Sequence, residues 1–202
     1  SRVSIVESTG LGRTGAVPLP HLQVLDFDVS RDGRLMAVGA DEGVAVVDVA
    51  TRSMIKWRGN MRNARAVRLF DDKLHVLSVA EYLVWDLESD ATTTEKTDVT
   101  FPAIGRAEII DESRYVALED GKLLLCDRTA RRCADTQVTA LGAVAHISSD
   151  PARSTLVASM MDGSLVYLNI DTGDTVRIVH DGEEWFIHDR HGRMTGSLGA
   201  DR

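Results

Sequence analysis

Long apolar runs are missing from this 202-residue chain. No stretch approaches the roughly 18 residues that a membrane-spanning helix requires, and the N-terminus lacks the basic-then-apolar order of a secretion signal. Cysteine is scarce: Cys126 and Cys133 are the only two, which is not the usage of a disulfide-stapled secreted domain. Cationic side chains are outnumbered, with Lys+Arg 23 against Asp+Glu 31 and a net charge of −8, so a phosphate backbone or an anionic membrane is repelled on average. Aromatics supply only 5% of the residues, leaving Val, Leu, Ile and Ala to build the core. These deficits predict a soluble, cytoplasmic protein that takes neither nucleic acid nor membrane as partner. At 44% hydrophobic residues the chain has enough apolar surface to bury a core and is not disordered.

What is present is a repeat. Four times an apolar run ends near an acid and turns back into another strand-like segment: VVDVATRSM, VWDLESDAT, LCDRTARRC and LNIDTGDTV. The acids are Asp48, Asp86, Asp127 and Asp171, in steps of 38, 41 and 44 residues. A period of this length that holds several short strands is the signature of β-propeller blades.

The clearest unit runs from His21 to about Trp57. Alternation in LQVLDFDV predicts a strand, Ser30-Arg31-Asp32-Gly33 a turn, and RLMAVG a second strand. Asp41-Glu42-Gly43 leads into VAVVDV, and Thr51-Arg52 into SMIKW. The same order returns in ARAVRLF, LHVLSV, YLVWDL and a last strand near Thr92 to Thr97, then in GRAEII, RYVALE, KLLLCD and RCADTQV, then in AVAHISS, STLVAS, SLVYLNI and TVRIV. Asp120-Gly121 and Asp162-Gly163 are hairpin cues, because glycine tolerates the positive φ of such turns. Val and Ile crowd helices, and Gly, Asp and Pro interrupt every window, so helix content is expected to be very low.

The third unit would pair Lys122–Asp127 with Arg132–Val138 around Thr129-Ala130, setting the two cysteines opposite each other. A bridge is geometrically conceivable there. A reducing cytosol predicts thiols, packed like small hydrophobes.

The stretch HLQVLDFDVSRDGRLMAVG from His21 to Gly39, followed by DEGVAVVD from Asp41 to Asp48, resembles a blade of the WD-repeat family, and Trp85-Asp86 is the literal dipeptide. The similarity covers about Leu22 to Val179. Val47, Cys126 and Asn169 or Ile170 stand where the other blades would carry tryptophan, and Gly-His pairs are missing. The resemblance implies an all-β fold, a β-propeller of four-stranded antiparallel blades. About four blades are complete, and because the family most often closes with seven, they are expected to be part of a larger ring. The organisation follows: an N-terminal strand and linker over 1–20, four blades over 21–180, and a C-terminal hairpin or connecting tail over 181–202. The tail from Gly182 to Ser197, GEEWFIHDRHGRMTGS, resembles a segment that follows the propeller in some bacterial proteins that also carry a caspase-like peptidase. That likeness implies a sensing or regulatory section linked to such a protease.

Several motifs invite chemistry and fail its requirements. Gly10-Leu11-Gly12-Arg13-Thr14-Gly15 matches a dinucleotide pattern, but Val17-Pro18-Leu19-Pro20 cannot supply the helix that must follow; a flexible linker and no cofactor are expected. His180, Asp181, Glu183, Glu184, His188, Asp189 and His191 crowd twelve residues, yet on an alternating strand and turn they scatter over both faces, so no metal site is expected. Ser197 in TGSLG lacks a nucleophile elbow, and His75 and His146 sit in predicted strands. No catalytic residue is assigned. Trp85 reads as blade packing. Trp57, with Lys56, Arg58 and Arg62 around it, reads as the candidate contact for an acidic protein surface.

The function expected is a non-enzymatic propeller scaffold for protein–protein interaction, within a larger bacterial signalling or defence protein. Its partner would be the remaining blades of its own propeller or a caspase-like protease. Two alternatives stand beside it: a processed fragment or substrate of a caspase-like protease system, and a propeller enzyme whose active residues line a channel.

Overall fold

The computed structural model describes residues 2–6, 13–19, 22–79, 81–97, 107–119, 122–136, 144–150, 154–181, 184–189 and 193–196. Outside them lie Gly10–Gly12 of the glycine motif, the Asp120-Gly121 turn, Pro151–Arg153, Glu183, His191 and Ser197. Every regular element among the described residues is a β-strand. The chain divides into two compact units, Ser1–Ala103 and Ile104–Arg202.

In the first unit, β1 (Arg2–Val6) and β2 (Arg13–Pro18) form an antiparallel ribbon, so part of the expected linker is a strand. Sheet I follows in sequence order: β3 (Val24–Val29), β4 (Leu35–Ala40), β5 (Val44–Asp48) and β6 (Ser53–Arg58). Sheet II repeats it with β7 (Ala66–Phe70), β8 (Lys73–Leu77), β9 (Glu81–Asp86) and β10 (Thr92–Lys96). In the second unit, sheet III holds β11 (Ala107–Ile109), β12 (Arg114–Glu119), β13 (Lys122–Asp127) and β14 (Arg132–Asp135). Sheet IV has six strands: β15 (Val144–Asp150), β16 (Thr155–Met160), β17 (Leu165–Asn169), β18 (Thr175–Asp181), β19 (Glu184–Asp189) and β20 (Met194–Gly196). The tail hairpin therefore lengthens the fourth sheet, because the alternating apolar residues of β19 pair in register with β18, Ile187 opposite Ile178 and Phe186 opposite Val179.

The turn between the last two strands of each four-strand repeat is capped by one side-chain oxygen. Asp48 Oδ1 accepts from Thr51 N at 2.7 Å, Asp86 Oδ1 from Ser89 N at 2.7 Å, and Asp127 Oδ1 from Ala130 N at 2.9 Å. In the fourth repeat the acceptor is Asn169 Oδ1, bonded to Thr172 N at 2.9 Å, and not Asp171, the acid that the repeat marks in the sequence. Asparagine presents the same oxygen at the same reach. Each turn then closes on a residue of positive φ: Arg52, Asp90, Arg131 and Gly173.

Sheets I and II pack face to face, and their contact is written in the strand register. Residues directly paired across a sheet share a face. On sheet I two such rows are Asp28–Ala37–Val46–Lys56 and Asp26–Gly39–Val44–Arg58. Their small middle residues bury against Val67, Leu69, Leu74, Val76, Leu83 and Trp85 of sheet II. A Cβ on Gly39 would lie 2.7 Å from the Ala64 carbonyl oxygen and 2.9 Å from Val67 Cγ1, so only glycine lets the sheets approach this closely.

At the inner strand of sheet II the backbone N–H groups of Val67 and Leu69 have no neighbouring strand to bond. Carboxylates of β3 replace that strand: Asp26 Oδ2 accepts from Val67 N and Asp28 Oδ2 from Leu69 N, each at 2.8 Å and each across 41 residues. Asp28 also holds Arg68 at 3.0 Å. The second unit repeats the device at the same separation of 41, where Glu108 Oε1 accepts from Ser149 N at 3.1 Å and Ser149 Oγ at 2.8 Å. There Ile110, Val116 and Leu123 of sheet III and its flanking residues pack on Ile147, Leu156, Ala158, Val166 and Leu168 of sheet IV.

Two outcomes follow from these bonds. Asp28→Ala leaves a buried donor unsatisfied and is expected to cost about 1–3 kcal/mol in urea unfolding, with Asp28→Asn milder because it keeps an acceptor. The turn acids give the second. Asp48 and Asp86 are held below the ordinary carboxylate value of 3.8 chiefly by the N–H groups of Thr51 and Ser89, and Asp127 chiefly by the Thr129 hydroxyl. A lowered folded value means that the stabilisation is complete above the unfolded value and is lost as pH falls below it. The urea midpoint should stay level from neutral pH to about 5 and drop below about 4, and Asp48→Asn should make that drop shallower.

Candidate protein-interaction surface

Alternation along β6 separates the residues that the sequence groups as one contact. Lys56 and Arg58 share the face turned to sheet II. Lys56 Nζ lies 3.0 Å from Asp90 Oδ1, and the same oxygen accepts the Trp85 indole N–H at 2.8 Å. The Lys56 ammonium stands 5.7 Å and the Arg58 guanidinium 4.8 Å from the centre of the Trp85 ring, within cation–π range. The Lys56 hydrogen bond, and after it the Trp85 one, holds the Asp90 carboxyl below its usual value. These cations therefore join sheet I to sheet II. Trp57 lies on the opposite face and is 39% exposed, and Arg62 is exposed in the connection to β7. The structure brings Lys56 and Arg58 together on Trp85, which is buried as the packing reading expects, and leaves Trp57 on another surface.

That other surface is apolar. Its rows are Phe27–Val38–Ala45–Trp57 and Val29–Met36–Val47–Met54. The middle of each row is buried with Val17, Leu19 and Leu22, while Phe27 at 56%, Val29, Met54 and Trp57 stay exposed. The matching rows of sheet II, led by Val67 and Leu69, are the ones buried against sheet I. Sheet I thus presents outward the same kind of face that sheet II uses for packing. Phe27, Val29 and Met54 escape the sequence reading, although the alternation of LDFDV already sets Phe27 and Val29 opposite Asp26 and Asp28.

The other candidates lie away from this face, in sheets II, III and IV. His75 is buried, with Nδ1 2.9 Å from the Tyr82 hydroxyl and its ring edge-on to Phe70; His146 is exposed. In the tail, Asp189 binds the backbone N–H of Arg193 at 2.9 Å and pairs with its side chain, while His180 and His188 are exposed. Among the described residues no group of three or more His, Cys, Asp or Glu is placed to hold a metal. Cys126 and Cys133 are bonded to each other as a disulfide, not left as thiols. Their direct pairing between β13 and β14 brings the two Cα atoms to 4.0 Å, the close spacing of a non-hydrogen-bonded antiparallel pair.

Among solved structures, the chain is similar to the WD40 repeats of RRP9, with TM-score 0.59 and 12% identity over 85% of this chain and 61% of that one. It is similar to a chain of the mitotic checkpoint complex, with TM-score 0.64 and 13% identity over 98% and 71% of the respective chains. The β-propeller domain of Cps50 (Swd1) from Myceliophteria thermophila gives 0.55 and 15% identity over 91% and 69%. This chain therefore spans only about three fifths of the RRP9 structure it matches. No family model and no curated protein matches the sequence. Likeness at such identities is likeness of fold, and the fold is that of a WD40-type β-propeller with antiparallel blades.

Proposed function

We propose that this chain is a non-enzymatic interaction scaffold whose principal contact is the outward face of sheet I. The observation that carries the reading is the pair of apolar rows ending in Phe27, Val29, Met54 and Trp57. Phe27 and Val29 on β3 and Met54 and Trp57 on β6 flank the strip that Val17, Leu19 and Leu22 cover. Exposed apolar side chains on a rigid sheet offer area to a protein partner, held by bonded turns so that docking orders little. Aromatic anchors of this kind carry most of the energy of an interface. Resemblance to WD40 structures, one of them a chain of a multiprotein complex, supports the same reading.

The wider proposal keeps the context that the tail suggests: a regulatory section of a larger bacterial signalling or defence protein, working in the cytoplasm, with further propeller blades or a caspase-like protease as partner. Trp57 and Arg62 remain proposed contacts. No helix among the described residues is long and apolar enough to cross a membrane.

Affinity capture from the encoding cells with the intact chain and with Phe27→Ser/Trp57→Ser tests this. Partners recovered by the wild type should fall at least about five-fold with the variant, and an unchanged set of captured proteins would remove the assignment. Urea unfolding guards the comparison: Trp57→Ser should cost about 1 kcal/mol, against about 3–5 kcal/mol for the buried Trp85→Ala.

A further inference from the structure

A cleft runs between sheets I and II on the side of the β3–β4 and β7–β8 turns. Its narrow part, about 360 Å³, has an apolar lining that includes Leu35, Ile55 and Leu87, with Asp72 and Glu88 beside it. It continues past Leu35 and Asp72 into a wider part of about 830 Å³, flanked by Arg31, Asp32 and Asp71. Ile55 is half exposed, so the floor offers apolar area to a ligand rather than to the core alone.

Charge is distributed unevenly between the walls. Sheet II contributes Asp71, Asp72 and Glu88, and among the described residues none of these carboxylates enters an ion pair. On the sheet I wall the Lys56 charge is already matched by Asp90 at 3.0 Å, Asp32 and Arg34 are engaged with each other and with Ser30 inside their own turn, and Arg31 lines the wider part but not the narrow one. The walls are also fixed. Leu35 N and Gly33 N bond back to Ser30 at 2.9 and 2.8 Å, and Leu87 N bonds to the Asp72 carbonyl at 2.8 Å. A ligand that enters the narrow part meets a preformed apolar floor and, along the sheet II side, the Asp72 and Glu88 carboxylates, which have no ion partner among the described residues.

We propose that the cleft between sheets I and II binds a linear peptide segment of a partner protein, with an aliphatic side chain on Leu35, Ile55 and Leu87 and an adjacent lysine or arginine on Asp72 and Glu88. This deepens the scaffold reading with a second contact, and it uses none of the residues on the outward face of sheet I.

The test is fluorescence anisotropy of the intact chain with a fluorescein-labelled heptapeptide that carries a leucine followed by two lysines. Its leucine-to-alanine form and its lysine-to-glutamate form serve as the comparison probes. The leucine–lysine probe should bind, and each altered probe at least about five-fold more weakly. Asp72→Asn/Glu88→Gln should weaken the leucine–lysine probe about five-fold and reduce its sensitivity to salt, and Ile55→Ser should weaken it comparably. Phe27→Ser/Trp57→Ser should bind it as the wild type does, which separates this site from the outward face. Equal binding of the three probes, no binding at about millimolar protein, unchanged affinity in the Asp72/Glu88 and Ile55 variants, or loss in the Phe27/Trp57 variant would each overturn the proposal.

Discussion

An inner strand with nothing beside it is the constraint around which these sheets are built. The N–H groups of Val67 and Leu69 lie at the sheet edge, where an unsatisfied backbone donor is costly and an open edge recruits other strands. Asp26 and Asp28 satisfy them from the preceding sheet, and Glu108 does so for Ser149. A carboxylate accepts strongly from a neutral N–H, needs no strand of its own, and fixes both the lateral position and the slide of one sheet on the next. The separation is 41 residues in all three bonds, even though the marked acids step by 38, 41 and 44, so this contact keeps its spacing where the turns vary in length.

The same rows that begin with an acid end with a cation. Lys56 and Arg58, at the outer strand of sheet I, close on Trp85 and Asp90 of sheet II. Between the two polar ends lie Ala37, Gly39, Val44 and Val46, small enough for the larger side chains of sheet II to seat against them. The opposite face of sheet I has no acids and no cations in its rows. Its ends are Phe27, Val29, Met54 and Trp57, exposed on either side of a middle that packs with Val17, Leu19 and Leu22.

Much of this architecture is legible in the chain because strand alternation and turn chemistry agree over most of each repeat. The sixteen strands from β3, VLDFDV, to β18 fall where the four-strand repeat puts them, all but the threonine-rich β10 marked by apolar side chains. The cap in the fourth repeat was obscured because Asn169 is an equivalent acceptor that carries no charge, so the eye follows Asp171 instead. The strand at Arg13–Pro18 was hidden by its glycines and prolines, and the six-stranded sheet by the acids that interrupt its last hairpin. For the candidate site, proximity in sequence misled: Lys56, Trp57 and Arg58 are consecutive, and a period of two necessarily sends the middle one to the other face. Their roles became readable only when register showed which face meets sheet II.

The Cys126–Cys133 bond ties β14, the four-residue outer strand of sheet III, to its neighbour across a separation of seven residues. Such a staple does little to shrink the unfolded chain, since so short a segment has little freedom to lose. Its consequence is mechanical instead. Under tension applied along the chain, the ribbon of β13 and β14 can open only as far as the sulfur link, and the residues enclosed between the cysteines never add to the extended length.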